Sequence, residues 1–185
     1  VATGVTRGLV SELQQKDREL LTKRYTDNPE AFRAYVRGLA ILDAKNPDNF
    51  EKAIDELQKA VALDPTFALA YAGLAHASIR RGFNQSGASA EGFYATSKAL
   101  AQKALGLDPE TPEAYFALGT VKRIYDWDWA GSDEHFRKAI ELDPNISYTH
   151  LVHGASYLTA VGKADEAMKE GERALQLEPL SLINN

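Results

Sequence analysis

Lys138-Ala139-Ile140-Glu141-Leu142-Asp143-Pro144 decides the fold, because the chain repeats it. The other copies are Lys59-Ala60-Val61-Ala62-Leu63-Asp64-Pro65, Lys103-Ala104-Leu105-Gly106-Leu107-Asp108-Pro109 and Arg173-Ala174-Leu175-Gln176-Leu177-Glu178-Pro179. Each has the make-up of a helix end. The small Ala allows a neighbouring helix to approach closely, and the apolar residue after it and the Leu two further on are expected to face a core. A basic residue suits the negative end of the helix dipole, and Pro cannot continue the helix. The four prolines stand 44, 35 and 35 residues apart. A helical unit of nearly constant length therefore recurs, and such units stack to bury one another's apolar faces.

Outward from these ends the chain divides into an N-terminal helix or junction over residues 1–27 and four helical hairpins at about 28–65, 66–109, 110–144 and 145–179. The first segment is expected to hold a polar helix from Gly8 to Tyr25 with a partial stripe of Leu9, Leu13, Leu20 and Leu21. Asn28-Pro29-Glu30 reads as a helix start, with a capping side chain, Pro in the first turn and an acid at the positive dipole end. Phe32, Tyr35, Val36, Leu39 and Leu42 then share one side of a helix, which ends at a turn over Asn46-Pro47. Asp48 with Glu51 resembles a capping box. Gly82 to Gly92, rich in Gly, Ser and Asn, reads as a long inserted loop that accounts for the 44-residue spacing. Leu180 to Asn185 begin a further helix that they are too few to complete, leaving an apolar end to bury.

A period near 35 and the spacing within each unit are those of the tetratricopeptide repeat (TPR). Tyr71, Leu74, Ala75 and Ser78 follow its first-helix pattern, as do Tyr115, Leu118 and Gly119, and His150, His153, Gly154 and Tyr157. Ser132, Phe136 and Ala139 fill the second-helix pattern. Gly171, where the second helix carries a large aromatic in the pattern, and the Gly82 to Gly92 stretch depart from it. The expected fold is all-α, a right-handed superhelical solenoid of TPR-like hairpins. Two stretches carry a narrower likeness: Lys23-Arg24-Tyr25-Thr26-Asp27-Asn28-Pro29-Glu30-Ala31-Phe32 and Tyr125-Asp126-Trp127-Asp128-Trp129-Ala130-Gly131. Together they resemble the C-terminal TPR region of bacterial multidomain signalling proteins. In that group a kinase, winged-helix or cyclase output module precedes a TolB-like segment and the repeats. The resemblance implies a scaffolding or sensory role and transfers none of the output activities to this chain.

Composition narrows the function classes. The 185 residues are 44% hydrophobic and 25% charged, the balance of a folded chain rather than a disordered one. A net charge of −5 argues against a large phosphate-binding surface, so no nucleic-acid partner is expected. The absence of Cys removes disulfides and thiolate chemistry and is compatible with a cytoplasmic setting. No apolar run approaches the ~20 residues of a membrane-spanning helix, so no membrane partner is expected.

Candidate chemistry is sparse. Asp126, Asp128, Asp133, Glu134 and His135 cluster near one turn and could ligate a divalent cation, but acids at a helix start already have a dipole reason to be there. His150 and His153 share a helical face without a visible third ligand. No cofactor and no enzymatic activity is expected, and a metal-dependent hydrolase built on the Asp126 to His135 cluster is a remote alternative. Trp127 is a candidate surface anchor, whereas Trp129 is expected to pack on the adjacent hairpin.

The remaining candidate is the concave face, which first helices line in stacked hairpins. Its predicted residues are Tyr35, Leu39, Leu69, Ala72, His76, Arg80, Phe116, Thr120, Arg123, Leu151, Ala155 and Leu158. This mix suits an apolar or acidic peptide, or a neighbouring domain of the same parent chain. Chaperone-binding TPRs clamp a terminal carboxylate with Lys and Asn from this face, and here those positions are mainly apolar. The expected function is protein–protein interaction. The alternative is self-association through the C-terminal end, with Leu182 and Ile183 at the contact.

Overall fold

The computed structural model describes residues 25–43 and 50–179. Among them are eight α-helices and no strand. They pair as α1 (Pro29–Asp43) with α2 (Phe50–Leu63), α3 (Ala68–Phe83) with α4 (Ala88–Leu107), α5 (Pro112–Val121) with α6 (Trp129–Leu142), and α7 (Ser147–Val152) with α8 (Ala164–Leu177). α5 and α7 are each prolonged by a π-helical turn, Lys122–Asp126 and His153–Leu158. The main helix contacts join partners within a hairpin or helices of successive hairpins, the arrangement of a solenoid. The expected N-terminal helix up to Tyr25, the Asn46-Pro47 turn with its Asp48 cap, and the helix start after Pro179 lie outside the described residues.

The repeated stretch makes the same geometry each time. Ala60, Ala104, Ala139 and Ala174 are all 0% exposed. Their carbonyls accept the N–H of Asp64, Asp108, Asp143 and Glu178 at 3.0, 2.8, 3.0 and 3.0 Å, closing the last helical turn. Each Asp then folds its side chain forward: Oδ1 accepts the N–H of Thr66, Glu110 or Asn145, 2.9 Å in every case. This Asx turn bends the chain around the Pro and points it into the next hairpin. The apolar neighbours are less buried than expected. Val61, Leu105 and Ile140 are half-buried, and Leu63 and Leu175 are exposed. The alanine is the one position of the stretch that is fully buried in all four copies.

The first helices meet the second helices through glycine about one turn before that alanine. A Cβ on Gly38 would lie 2.6 Å from Leu57 Cγ, and one on Gly119 would lie 3.1 Å from Phe136 Cδ1. Ser132 Oγ donates to the Gly119 carbonyl at 2.8 Å, locking α5 onto α6. Asn28 caps α1 as its sequence implies, with Oδ1 accepting from Glu30 and Ala31 at 3.0 and 3.2 Å. Its Nδ2 also donates to the Leu63 carbonyl at 2.9 Å, tying the start of the hairpin to its end. On α1 the buried face is narrower than the apolar stripe: Tyr35 and Leu42 are buried, while Phe32 and Val36 are exposed.

The stretch from Gly82 to Gly92 is not a long loop. α3 continues to Phe83, α4 begins at Ala88, and only residues 84–87 turn. The additional residues lengthen α4 to 20 residues. Gly82 serves packing, because a Cβ there would lie 2.5 Å from Tyr94 Cε1. Gly92 is exposed with open space around it, and its helical cost of about 1 kcal/mol is carried by good formers such as Ala88, Ala90 and Ala95.

The fourth hairpin replaces an aromatic core with a polar one. Phe136 is fully buried on α6, whereas the corresponding Gly171 on α8 faces open space, and Ala174 is the buried residue of that helix. Glu170 fills the contact instead. Its Oε2 lies 2.5 Å from His150 Nδ1, and its Oε1 lies 3.6 Å from His153 Nδ1. His150 Nε2 is 3.0 Å from the Pro144 carbonyl, and His153 Nε2 is 2.8 Å from Asp133 Oδ1 on α6. Both partners of His150 can only accept, so its ring donates from both nitrogens and is the imidazolium. Burial opposes that charge, but Glu170 and Pro144 outweigh it and hold His150 above its ordinary value. Burial likewise pushes Glu170 up, and the two imidazoles override it and bring its carboxyl down to about 2.

Two substitutions test these contacts. Ala139→Leu overfills a sealed crossing and is expected to lower stability by about 1–3 kcal/mol in urea unfolding; an unchanged midpoint would show that the crossing is loose. Glu170→Gln removes a charge-assisted bond with an expected cost of about 1.5–3 kcal/mol. The depressed Glu170 contributes stability that is present above about pH 4.5 and lost as pH falls toward 2. The raised His150 contributes stability that is present below about pH 6.5 and lost as pH rises through its folded value. The gap between wild type and Glu170→Gln in thermal melts is therefore widest from about pH 4.5 to 6.5 and narrows on both sides. A pH-independent gap would contradict the assignment.

Candidate functional site: the groove of the first helices

Three rings from three hairpins meet on the inner face. His76 of α3 lies 5.5 Å from Phe116 of α5 and 5.6 Å from Tyr148 of α7, and Phe116 and Tyr148 are 5.4 Å apart. Phe116 also reaches back to Phe136 at 6.0 Å, anchoring the cluster to the core. In a simple solenoid each repeat touches only its neighbours. Here Tyr148 reaches past the third hairpin to the second, so the inner curve is tight enough for α3, α5 and α7 to share one cluster. Such ring pairs contribute about 0.5–1.5 kcal/mol each beyond their buried area.

Two hollows flank this cluster. One, of about 180 Å³, is lined by Tyr35, Leu39 and Leu42 of α1, by Ala72 of α3, and by Ile146 and Thr149 of the fourth hairpin. The other, of about 130 Å³, is lined by Ile79, Arg80 and Phe83 of α3, Thr120 and Arg123 of the third hairpin, and Val152 and Ser156 of the fourth. His76, Phe116 and Tyr148 border both, so the two hollows adjoin along one groove; the first is apolar apart from Glu113, and Arg80 and Arg123 make the second cationic. His76 is held down to about 4, first by burial and then by the Arg80 charge, so it is neutral at pH 7. Burial also lowers Arg123 and raises Tyr148.

Tyr35, Leu39, Ala72, His76, Arg80, Phe116, Thr120 and Arg123 thus come together in the groove. Leu69 is buried in the first core at 8% exposure, and Leu158 is buried at 1% against Phe116, Phe136 and Tyr157. Leu151 and Ala155 line neither hollow. The fourth hairpin instead presents Tyr148, Val152 and Ser156, a row shifted back along the helix. Aligning His150 with the aromatic position of the repeat put the inner row at Leu151. The π-helical turn after Val152 changes the phase of the residues beyond it, so Leu158 turns inward to the core.

The Asp126 to His135 cluster is dispersed among separate tasks. Asp126 pairs with Lys98 at 2.6 Å, and Asp128 caps α6 through the Gly131 N–H at 2.9 Å and holds Lys122 at 2.5 Å. Asp133 serves Arg137 and His153, and His135 Nδ1 bonds the Gly131 carbonyl at 2.7 Å. Among the described residues no group of three or more His, Asp or Glu is placed to hold a metal ion. Trp127 adopts φ 57° and is 72% exposed at the α5–α6 turn, whereas Trp129 packs 6.2 Å from Tyr157 of the fourth hairpin. No helix among the described residues is long and apolar enough to cross a membrane.

No family model and no curated protein matches the chain. Solved structures do. The chain is similar to TTC0263, a thermophilic TPR protein of Thermus thermophilus, with TM-score 0.68 and 15% identity over 91% of this chain and 82% of that one. It is similar to a MamA protein with TM-score 0.50 and 25% identity over 80% of this chain and 73% of that one. An Arabidopsis OM64 TPR domain gives TM-score 0.52 and 16% identity over 82% of this chain and 98% of that one. At such identities the likeness speaks for the fold, and with the buried alanine crossings it establishes the architecture: a tetratricopeptide-repeat solenoid of helical hairpins.

Proposed function

We propose that this chain is a protein–protein interaction module that holds an extended peptide, or a segment of a partner domain, along the groove of its first helices. Its parent is a bacterial signalling or regulatory protein of the group that the Lys23 to Phe32 and Tyr125 to Gly131 stretches resemble. The observation that supports the reading is the shared His76–Phe116–Tyr148 cluster, which borders two adjoining hollows on the face of the first helices. An extended segment crossing it would place alternate side chains into the two hollows. The polar groups on the second helices are largely engaged with one another, as in Arg137 with Asp133 and Glu166, and the hollow of about 410 Å³ on α6 is lined by such groups, among them Glu134, Arg137, Lys138 and Glu141, without a ring cluster shared between hairpins.

Self-association is a second reading. α8 exposes Met168 at 65% and Leu175 at 37%, seven residues apart on one side of the helix, where a second copy could pack.

Peptides selected from a short random display library test both readings. Binding is expected to shift the amide signals of His76, Thr120 and Val152 and to leave those of Lys103 and Lys169 unmoved. Tyr148→Ala is expected to weaken binding about tenfold. Shifts confined to second helices would contradict the groove reading. A sedimentation mass of two chains that reverts to one in Met168→Glu would establish the second reading in its place.

A further inference from the structure

We propose that the cationic end of the groove reads an acidic side chain: an Asp or Glu of the bound segment sits between Arg80 and Arg123, with an apolar neighbour against Phe116 and Tyr148. The inference rests on the groove being the binding face and adds what it selects.

The arginines among the described residues divide into two kinds. Arg33, Arg37, Arg81 and Arg137 each pair with a carboxylate, and Arg173 bonds Asn145 and the Pro144 carbonyl. Arg80 and Arg123 have no carboxylate partner among the described residues. Scarcity of acids does not explain this, since Asp and Glu number 26 against 21 Lys and Arg. Both arginines border the same 130 Å³ hollow, whose lining contains no acid.

Arg123 is half-buried, and its Nε is sealed from solvent without a hydrogen-bond partner. A desolvated guanidinium with an unspent donor is costly unless an acceptor arrives. Arg80 lies with its guanidinium carbon 5.5 Å from the centre of the Phe50 ring, a cation–π contact that uses none of its N–H donors. His76 beside it is neutral at pH 7 and adds no charge. A planar fork on each side of a small hollow matches the planar, two-oxygen carboxylate.

The size of the hollow selects one short side chain rather than a helix. Its continuity with the apolar hollow through Phe116 and Tyr148 requires that the acid be followed or preceded by an apolar residue on the same extended chain. Lys and Asn, which clamp a terminal carboxylate, are absent from the lining, so the acid belongs within the segment.

The test is selection of a short random peptide display library on the whole chain and on Arg123→Gln, followed by affinity measurement with C-terminally amidated synthetic copies of the recovered sequences. Wild type is expected to recover sequences with an Asp or Glu beside an apolar residue. Their affinity is expected to fall about tenfold on Arg123→Gln, with no further loss when the acid of the peptide is replaced by its amide. Arg123→Lys keeps the charge without the fork and is expected to fall between the two. If Arg123→Gln does not melt cooperatively, Arg80→Gln carries the same comparison. Recovery of acid-free peptides that bind Arg123→Gln as tightly as wild type overturns the inference and leaves the groove standing. Recovery of no peptide on wild type overturns the groove reading and the inference together. A phosphoserine copy that binds tenfold tighter than the acidic one overturns the choice of carboxylate.

Discussion

The structure depends on four fully buried alanines, one at the same place near the end of each second helix. Ala60, Ala104, Ala139 and Ala174 are sealed from solvent at the point where each second helix meets its first. One turn earlier on the second helix, Leu57 and Phe136 lie against Gly38 and Gly119 of the first helices. Because the contact lacks bulk, the helices of a hairpin lie close and the Asp that ends each of the first three copies can turn the chain at once through its own side chain. Hairpins built this way resemble one another, and a small rotation from each to the next curves the stack.

The groove is a consequence of that curvature. Tyr148 contacts His76 although a whole hairpin separates them in the chain. The rings spend their apolar surface on one another, leaving a hollow on each side, and the arginines at one end are not neutralised by any acid around them. A folded chain tolerates two such cations only where the rest of the structure over-determines their position, and here Phe50 beneath Arg80 and the walls around Arg123 do so. The fourth hairpin has a different logic. Its core is held by the His150–Glu170 pair rather than by an aromatic plug, so the stability of this hairpin depends on pH through that pair.

Much of this was legible in the amino-acid sequence, and the limits have physical causes. The helix ends were readable because Pro and Asp act locally, and the caps at Asn28 and Asp128 because a capping side chain bonds within three residues of itself. The inner rows of α3 and α5 came from the repeat spacing. The Gly82 to Gly92 stretch misled because two of its glycines have opposite origins: Gly82 makes room for Tyr94, a contact twelve residues away, while Gly92 merely sits on a helix surface. The inner row of the fourth hairpin runs through Tyr148 and Val152, ahead of the π-helical turn, and nothing in the apolar pattern marks its displacement from Leu151. His150 and His153 read as packing residues; their partners Glu170 and Asp133 are 20 residues away on two other helices, and only the fold brings them together.

The central claim is that stacking alone brings the second and fourth hairpins into direct contact on the inner face. Amide hydrogen exchange on Tyr148→Ala tests it most directly. The account predicts that protection falls around His76 in α3 as well as in α7, because one side chain supports both. Loss of protection that spreads from α7 to α5 and stops there would contradict it.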